Sequence, residues 1–231
     1  MSAPDAEAEA VDPARRSIPI FPLSTVVLFP GADCPLHVFE PRYRQMTREA
    51  RDGDGVIGMA TVRPDHRGDM AGDPPVFPVG CMGRIVRCEE LEDGRFNVVL
   101  RGTSRFRIVD EPARPEGQLY RTAVVDALEE AASDPADVSG RRQRISDAFA
   151  RLVENVAPER ADELGPHRIA DVDDAAFLAV LVQILNLPPV ERQTLLEANG
   201  VGARLGALES LLHFQLAQLG MGGADRPGRV H

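Results

Sequence analysis

The chain has 231 residues, 43% of them apolar and 27% charged, which is enough for one large soluble domain or two small ones. Its 36 acidic residues outnumber 26 basic ones for a formal net charge of −10, a balance that argues against binding a polyanion by counterion release. Every basic residue is arginine, so the sequence holds no P-loop lysine, no Schiff-base lysine and no Ser-Lys dyad.

Residues 1–16, MSAPDAEAEAVDPARR, begin acidic and lack the apolar run of a signal peptide; they are expected to form a disordered acidic tail. No apolar stretch nears the ~20 residues of a membrane span, so a cytoplasmic protein with three reduced thiols and no membrane partner is expected. The run at 26–29, VVLF, reads as a buried strand stopped by Pro30-Gly31. A second strand is expected over 36–39. Glu40-Pro41 then opens a helix whose apolar stripe is Tyr43, Met46 and Ala50. Strand patterns follow at 56–62, 79–91, 95–102, 105–109 and 119–128, with a turn at Glu92-Asp93-Gly94. Closely spaced strands with one early helix predict a small mixed barrel.

Residues 129–140, EEAASDPADVSG, are small and polar and are expected to link two subdomains. Beyond them the period is helical: Ile145, Phe149, Leu152, Val153 and Val156, then Phe177, Leu178, Leu181, Ile184 and Leu185 behind a cap at Asp173 or Asp174. A short helix after Pro188-Pro189 should close at Asn199-Gly200. The last helix should carry Leu205, Leu208, Leu212, Leu216 and Leu219 on one face, with a frayed tail over 221–231.

Motifs for chemistry are sparse. Gly53, Gly55 and Gly58 match G-x-G-x-x-G but follow a helix and enter a strand, the reverse of a dinucleotide loop. Cys81 and Cys88 lie on opposite faces of a regular strand and share no metal-ligand spacing with Cys34 or a histidine. No nucleophile motif is present, and no catalytic residue, cofactor or metal is expected. Arg84, Arg87, Arg101, Arg105 and Arg107 could form a basic strip, but Glu89, Glu90, Glu92, Asp110 and Glu111 interleave it, so a solvated charged face is the preferred reading.

Two long motifs carry more information: PLSTVVLFPG running on to PLHVFEPRYRQM, and VGCMGRIVRCEELEDGRFNVVLRGTSRFRIVDE. In that order and spacing they resemble the LON substrate-binding domain, the N-terminal domain of Lon proteases, which also occurs as a free-standing bacterial protein. The resemblance implies an α+β fold, a PUA-like mixed β-barrel over 17–128 followed by an α-helical subdomain over 141–220. It also implies a non-catalytic, ATP-independent role in gripping unfolded protein segments or a specific partner in protein quality control, with a protease or chaperone as recipient. Phe29, Leu36, Phe39 and Tyr43 could line an apolar polypeptide groove between helix and sheet. Pro30, Gly31, Glu40, Pro41 and Arg42 match the family motif and read as structural. Two alternatives stay open: an RNA-binding PUA-like barrel, and an enzyme of unknown class.

Overall fold

The computed structural model describes residues 15–161 and 171–222. Strand β1 (Arg15–Leu23) starts earlier than its composition suggests and takes in Arg15 and Arg16, which were expected in the tail. Two prolines hide it. β1 pairs antiparallel with β6 (Arg121–Ala127) from Arg15 to Ile20, and parallel with β3 (Val56–Thr61) from Ile20 to Leu23. It changes partner at Ile20, so Pro19 and Pro22 each lie where one flank of the strand is unpaired and a missing N–H costs no ladder bond.

The run at 26–29 is not a strand, contrary to expectation. It is irregular backbone whose Leu28 and Phe29 are buried by packing on glycines of the sheet. The turn that ends it forms as expected: Ala32 N–H donates to Phe29 O at 3.1 Å and Gly31 takes φ +82°, the type II geometry that Pro-Gly favours. Gly31 N–H also reaches Gly102 O at 2.9 Å. A Cβ on Gly102 would fall on the Phe29 carbonyl, so the turn docks against the sheet only because that residue is glycine.

β2 (Asp33–Val38), β4 (Val79–Glu90) and β5 (Phe96–Asp110) complete the sheet, in the order β2-β5-β4-β3-β1-β6. β5 is one bent strand rather than the two expected, and it pairs with β6 as well as with β4. That pairing closes a ring of five strands, filled by Ile18, Ile20, Val56, Met82, Phe106, Ala123 and Val125. Helix α1 (Pro41–Asp52) lies in the crossover that a parallel β1 and β3 pair requires.

The helical part begins at Pro135, inside the expected linker. Asp134 caps α2 (Pro135–Val156) by accepting from Ala136 N–H at 3.0 Å, and Asp173 caps α3 (Asp174–Ile184) through Ala176 N–H at 2.8 Å. α4 (Pro189–Glu197) and α5 (Val201–Gly222) follow, separated by Gly200 at φ +90°. Leu205, Leu208 and Leu212 of α5 are buried, whereas Leu219 is exposed. One continuous apolar cluster runs from Leu28, Phe96 and Leu100 of the sheet through Tyr43 and Met46 of α1 to Phe149, Phe177 and Leu205 of the helices.

The two parts are also bolted together by charge. Arg105, expected on a surface strip, is 1% exposed. Its Nε donates to Glu130 Oε1 at 2.8 Å, its Nη1 to the Leu196 and Ala198 carbonyls at 3.1 Å each, and its Nη2 to Asn199 Oδ1 at 2.9 Å. Arg204, 4% exposed, meets the other Glu130 oxygen at 2.6 Å. One carboxylate thus sits between two buried guanidiniums, and the carbonyls left over at the C-terminus of α4 receive a cation. Burial pushes the Glu130 carboxyl up, but hydrogen bonds from Arg204 and Arg105 outweigh it and hold its pKa below the ordinary value.

Arg105→Met should cost about 3 kcal/mol, because it strands buried carbonyls and removes a paired charge; a urea midpoint unchanged from wild type would refute this. Glu130→Gln should also destabilise, with a definite pH dependence. The folded-state pKa is lowered, so the carboxylate's contribution is complete above its unfolded value near 4.5 and is lost as pH falls below that. The stability gap between wild type and variant should therefore close under acid, as read from denaturation at a series of pH values. Gly102→Ala should lose about 2 kcal/mol by dislodging the Pro-Gly turn, while Gly68→Ala, with open space at its Cβ, should stay within about 0.5 kcal/mol; thermal melts of the pair check both.

Candidate functional site

The four residues expected to line one groove separate in the fold. Phe29 and Tyr43 belong to the core; the Tyr43 ring lies 4.2 Å from that of Phe21, under the Arg42 guanidinium. Neither reaches a surface. Leu36 is half-buried, and Phe39 is 60% exposed just beyond the end of β2. Alternation along the chain does not distinguish the helix face that meets the sheet from one that borders a groove, which is why Tyr43 and Phe39 looked equivalent.

The motif residues make local contacts at the turn before β2 and at the start of α1. Pro41 takes the first helical position of α1, and Glu40 precedes it in extended conformation without a side-chain cap. Glu40 instead accepts from Arg42 Nε and Nη2 at 3.0 and 2.8 Å. Arg42 also donates to the Gly72 carbonyl at 3.0 Å and to that of Met70, fastening the start of α1 to the loop after β3.

Leu36 leads to the surface with the richest combination of features. β2, the first half of β5 and the second half of β4 extend as a three-stranded wing from the closed ring. Its inner face, with Val38, Phe96, Val98 and Leu100, joins the core. Its outer face carries Asp33, Pro35 and His37 on β2, Asn97, Val99 and Arg101 on β5, and Arg87 and Glu89 on β4. A shallow depression of about 440 Å³ opens there between Pro35, Leu36 and His37 on one side and Arg87 and Glu89 on the other.

Polar groups cross this face in an ordered row. Arg101 grips Asp33 through two bonds of 2.7 and 2.8 Å, which hold the Asp33 carboxyl below its usual range. Arg95 approaches His37 Nε2 at 3.3 Å, and His37 Nδ1 lies 2.9 Å from Asn97 Oδ1, a pairing that is satisfied by the Nδ1–H tautomer. Asn97 in turn donates to Glu89 at 3.4 Å. Arg87 makes no hydrogen bond or ion pair among the described residues.

β2 has β5 as its one strand neighbour among the described residues. Antiparallel pairing alternates, so every second residue of β2 turns its backbone N–H and C=O away from β5. Pro35, paired with Val99, has no N–H to give, and Asp33 O accepts from Gln183 Nε2 of α3 at 3.5 Å. Both facts place residues 33, 35 and 37 on the outward set. The Pro35 carbonyl and both backbone groups of His37 therefore form an open strand edge, with Phe39 at its end. The signal for an edge strand was a proline inside the strand, and it was lost by starting β2 at Leu36.

The basic strip dissolves in the fold. Arg105 is interior, Arg101 pairs with Asp33, and Arg84 donates to the Asp54 carbonyl at 3.0 Å. A second cavity, about 320 Å³, lies at the junction of sheet and helices between Pro30, Leu128, Ala175 and Val201; its charged wall, Glu130 and Arg204, is already paired. Among the described residues no group of three or more His, Cys, Asp or Glu could hold a metal ion. Burial raises the pKa of all three thiols, that of Cys81 to about 12.

Comparison with known proteins agrees with this architecture. The chain is 26% identical over 91% of its length to a Lon protease of Desulfosudis oleivorans and 29% identical over 87% to one of Flavobacterium johnsoniae. It spans about a quarter of the length of these relatives, 25% and 24%. Among solved structures it matches the N-terminal domain of a Mycobacterium avium complex Lon protease at TM-score 0.66 and 18% identity, covering 86% of this chain and 98% of that one. A Lon N-terminal domain protein from Xanthomonas campestris matches at TM-score 0.57 and 26% identity over 84% and 98%. The family model described as the ATP-dependent protease La (LON) substrate-binding domain matches residues 17–213, and the chain belongs to that family.

Proposed function

We propose that this chain is a non-catalytic, ATP-independent module that binds extended segments of unfolded polypeptide on the β2 edge and the adjoining outer face, in the service of cytoplasmic protein quality control. The observation that carries this reading is the open edge of β2 with the large exposed ring of Phe39 at its end. A strand edge offers main-chain hydrogen bonds to any extended sequence, and an exposed aromatic side chain adds apolar burial that requires little sequence specificity. Ordering a flexible ligand costs free energy, so affinity is modest and suited to release or to delivery to a protease or chaperone.

The chemistry of the site supports binding rather than catalysis. Thiols held above their ordinary pKa by burial are the opposite of activated nucleophiles. On the wing Arg101 is paired with Asp33, and with Arg105 inside, an unpaired Arg87 is too little positive charge for a phosphate track.

The test is a titration, by fluorescence anisotropy, of the protein against a labelled, reduced and carboxymethylated polypeptide, with the same polypeptide in native form and a structured RNA as competitors. Saturable binding that neither competitor displaces is expected. Phe39→Ser should raise Kd by about tenfold while leaving the melting temperature unchanged, since the ring is exposed before binding. Equal affinity for native and unfolded forms would defeat the proposal.

A further inference from the structure

We infer that Asn199 is a self-processing site: within the folded protein its side-chain amide is converted to a carboxylate, with water as co-reactant and ammonia as by-product. The pair Asn199-Gly200 brings the reacting groups together. The nucleophile is the Gly200 backbone nitrogen, whose N–H makes no hydrogen bond among the described residues. Gly200 has no side chain to crowd its approach to Asn199 Cγ, and attack there closes a five-membered imide between neighbours that the chain already holds adjacent.

The electrophile is prepared as well. Asn199 Oδ1 accepts from Arg105 Nη2 at 2.9 Å and from the Ala131 N–H at 3.4 Å, so the oxygen on which negative charge develops faces a buried guanidinium and a backbone amide. Donors fixed in advance at that oxygen stabilise the tetrahedral oxyanion, as they do in acyl-transfer sites. Asn199 Nδ2, the leaving group, has no partner among the described residues, and the side chain is exposed, so ammonia departs into solvent.

In the first step Gly200 N bonds to Cγ and gives its proton to water, while the Cγ–Nδ2 bond breaks and Nδ2 leaves as ammonia after taking a proton from water. One water then adds to a carbonyl carbon of the imide, the bond from that carbon to Gly200 N breaks, and the nitrogen regains a proton. Opening at Cγ yields aspartate. Opening at the main-chain carbonyl yields isoaspartate and places an extra carbon in the backbone. Arg105 and Ala131 activate Cγ for this step too, and the extra carbon would push Arg204 of α5 out of register with Glu130, so aspartate is the product. Its carboxylate gives the junction a second anion for two guanidiniums that Glu130 alone had served.

The experiment holds the full chain at physiological temperature and mildly alkaline pH, native in one arm and urea-unfolded in the other, and follows residue 199 by peptide mapping with mass spectrometry. The native chain should convert at least about tenfold faster than the unfolded one and yield aspartate, whereas the unfolded chain, without the two donors, should yield a mixture containing isoaspartate. Asn199→Asp, which encodes the product, should melt about 3 °C above the wild-type amide form. Native conversion no faster than in urea, isoaspartate as the main native product, or a melting temperature of Asn199→Asp at or below that of the amide form would overturn the inference.

Discussion

The trio formed by two buried arginines, Arg105 and Arg204, and the more exposed Glu130 between them is the constraint on which the arrangement of this molecule depends. It joins three pieces distant in sequence: β5, the segment before α2, and the stretch from the end of α4 into the first turns of α5, with Arg105 and Arg204 on one carboxylate and Arg105 also on the α4 end. A hydrophobic interface tolerates sliding by a fraction of a residue; a guanidinium with four directional bonds does not. The apolar cluster that runs from sheet to helices supplies the bulk of the attraction, and the trio selects which of the many apolar contacts is made.

Fixing the helices in this way also determines what the sheet leaves open. Five strands close on themselves, and β2, whose one strand neighbour among the described residues is β5, is left over. α3 reaches the start of β2 and satisfies Asp33 O through Gln183, but no described element continues along the strand towards Phe39. The open edge is thus a product of topology: the strand count exceeds the closed ring by one, and the helical part covers one end of the surplus. Edges of this kind are blunted by charge and by proline, and both borders of the wing carry such features: Glu90 with Arg48 and Arg51 on the β4 side, Asp33 with Arg101 and Pro35 on the β2 side.

Much of the architecture could be read from residues alone. The Pro-Gly turn, the helix after Glu40, the Asp173 cap and the Leu205, Leu208 and Leu212 stripe all express local chemistry, and each formed where its residues indicated. β1 did not show, because the rule that prolines break strands holds only for strands paired on both sides, and this one changes partner midway. Arg105 was misplaced for a related reason. Its neighbours Arg101 and Arg107 share its alternation, and nothing local reveals that β5 bends there, so that one arginine of the series enters the interior. Phe29 and Tyr43, expected to line the groove, are core residues, and of the four only Leu36 and Phe39 keep exposed area, at the β2 edge. An edge is a relation between strands; only the assembled sheet shows it.

The pairing of β1 with β6 has a consequence in time. Arg15 lies opposite Asp126, so the first strand of the ring to leave the ribosome waits for the last before it acquires its second neighbour. Arg105 waits longer still, for Asn199 and Arg204. Loop closure over such separations is slow, and through that interval an apolar strand and a bare cation are held by local structure alone. The ring and its charged junction are thus the parts of the fold that need nearly the whole chain to be present.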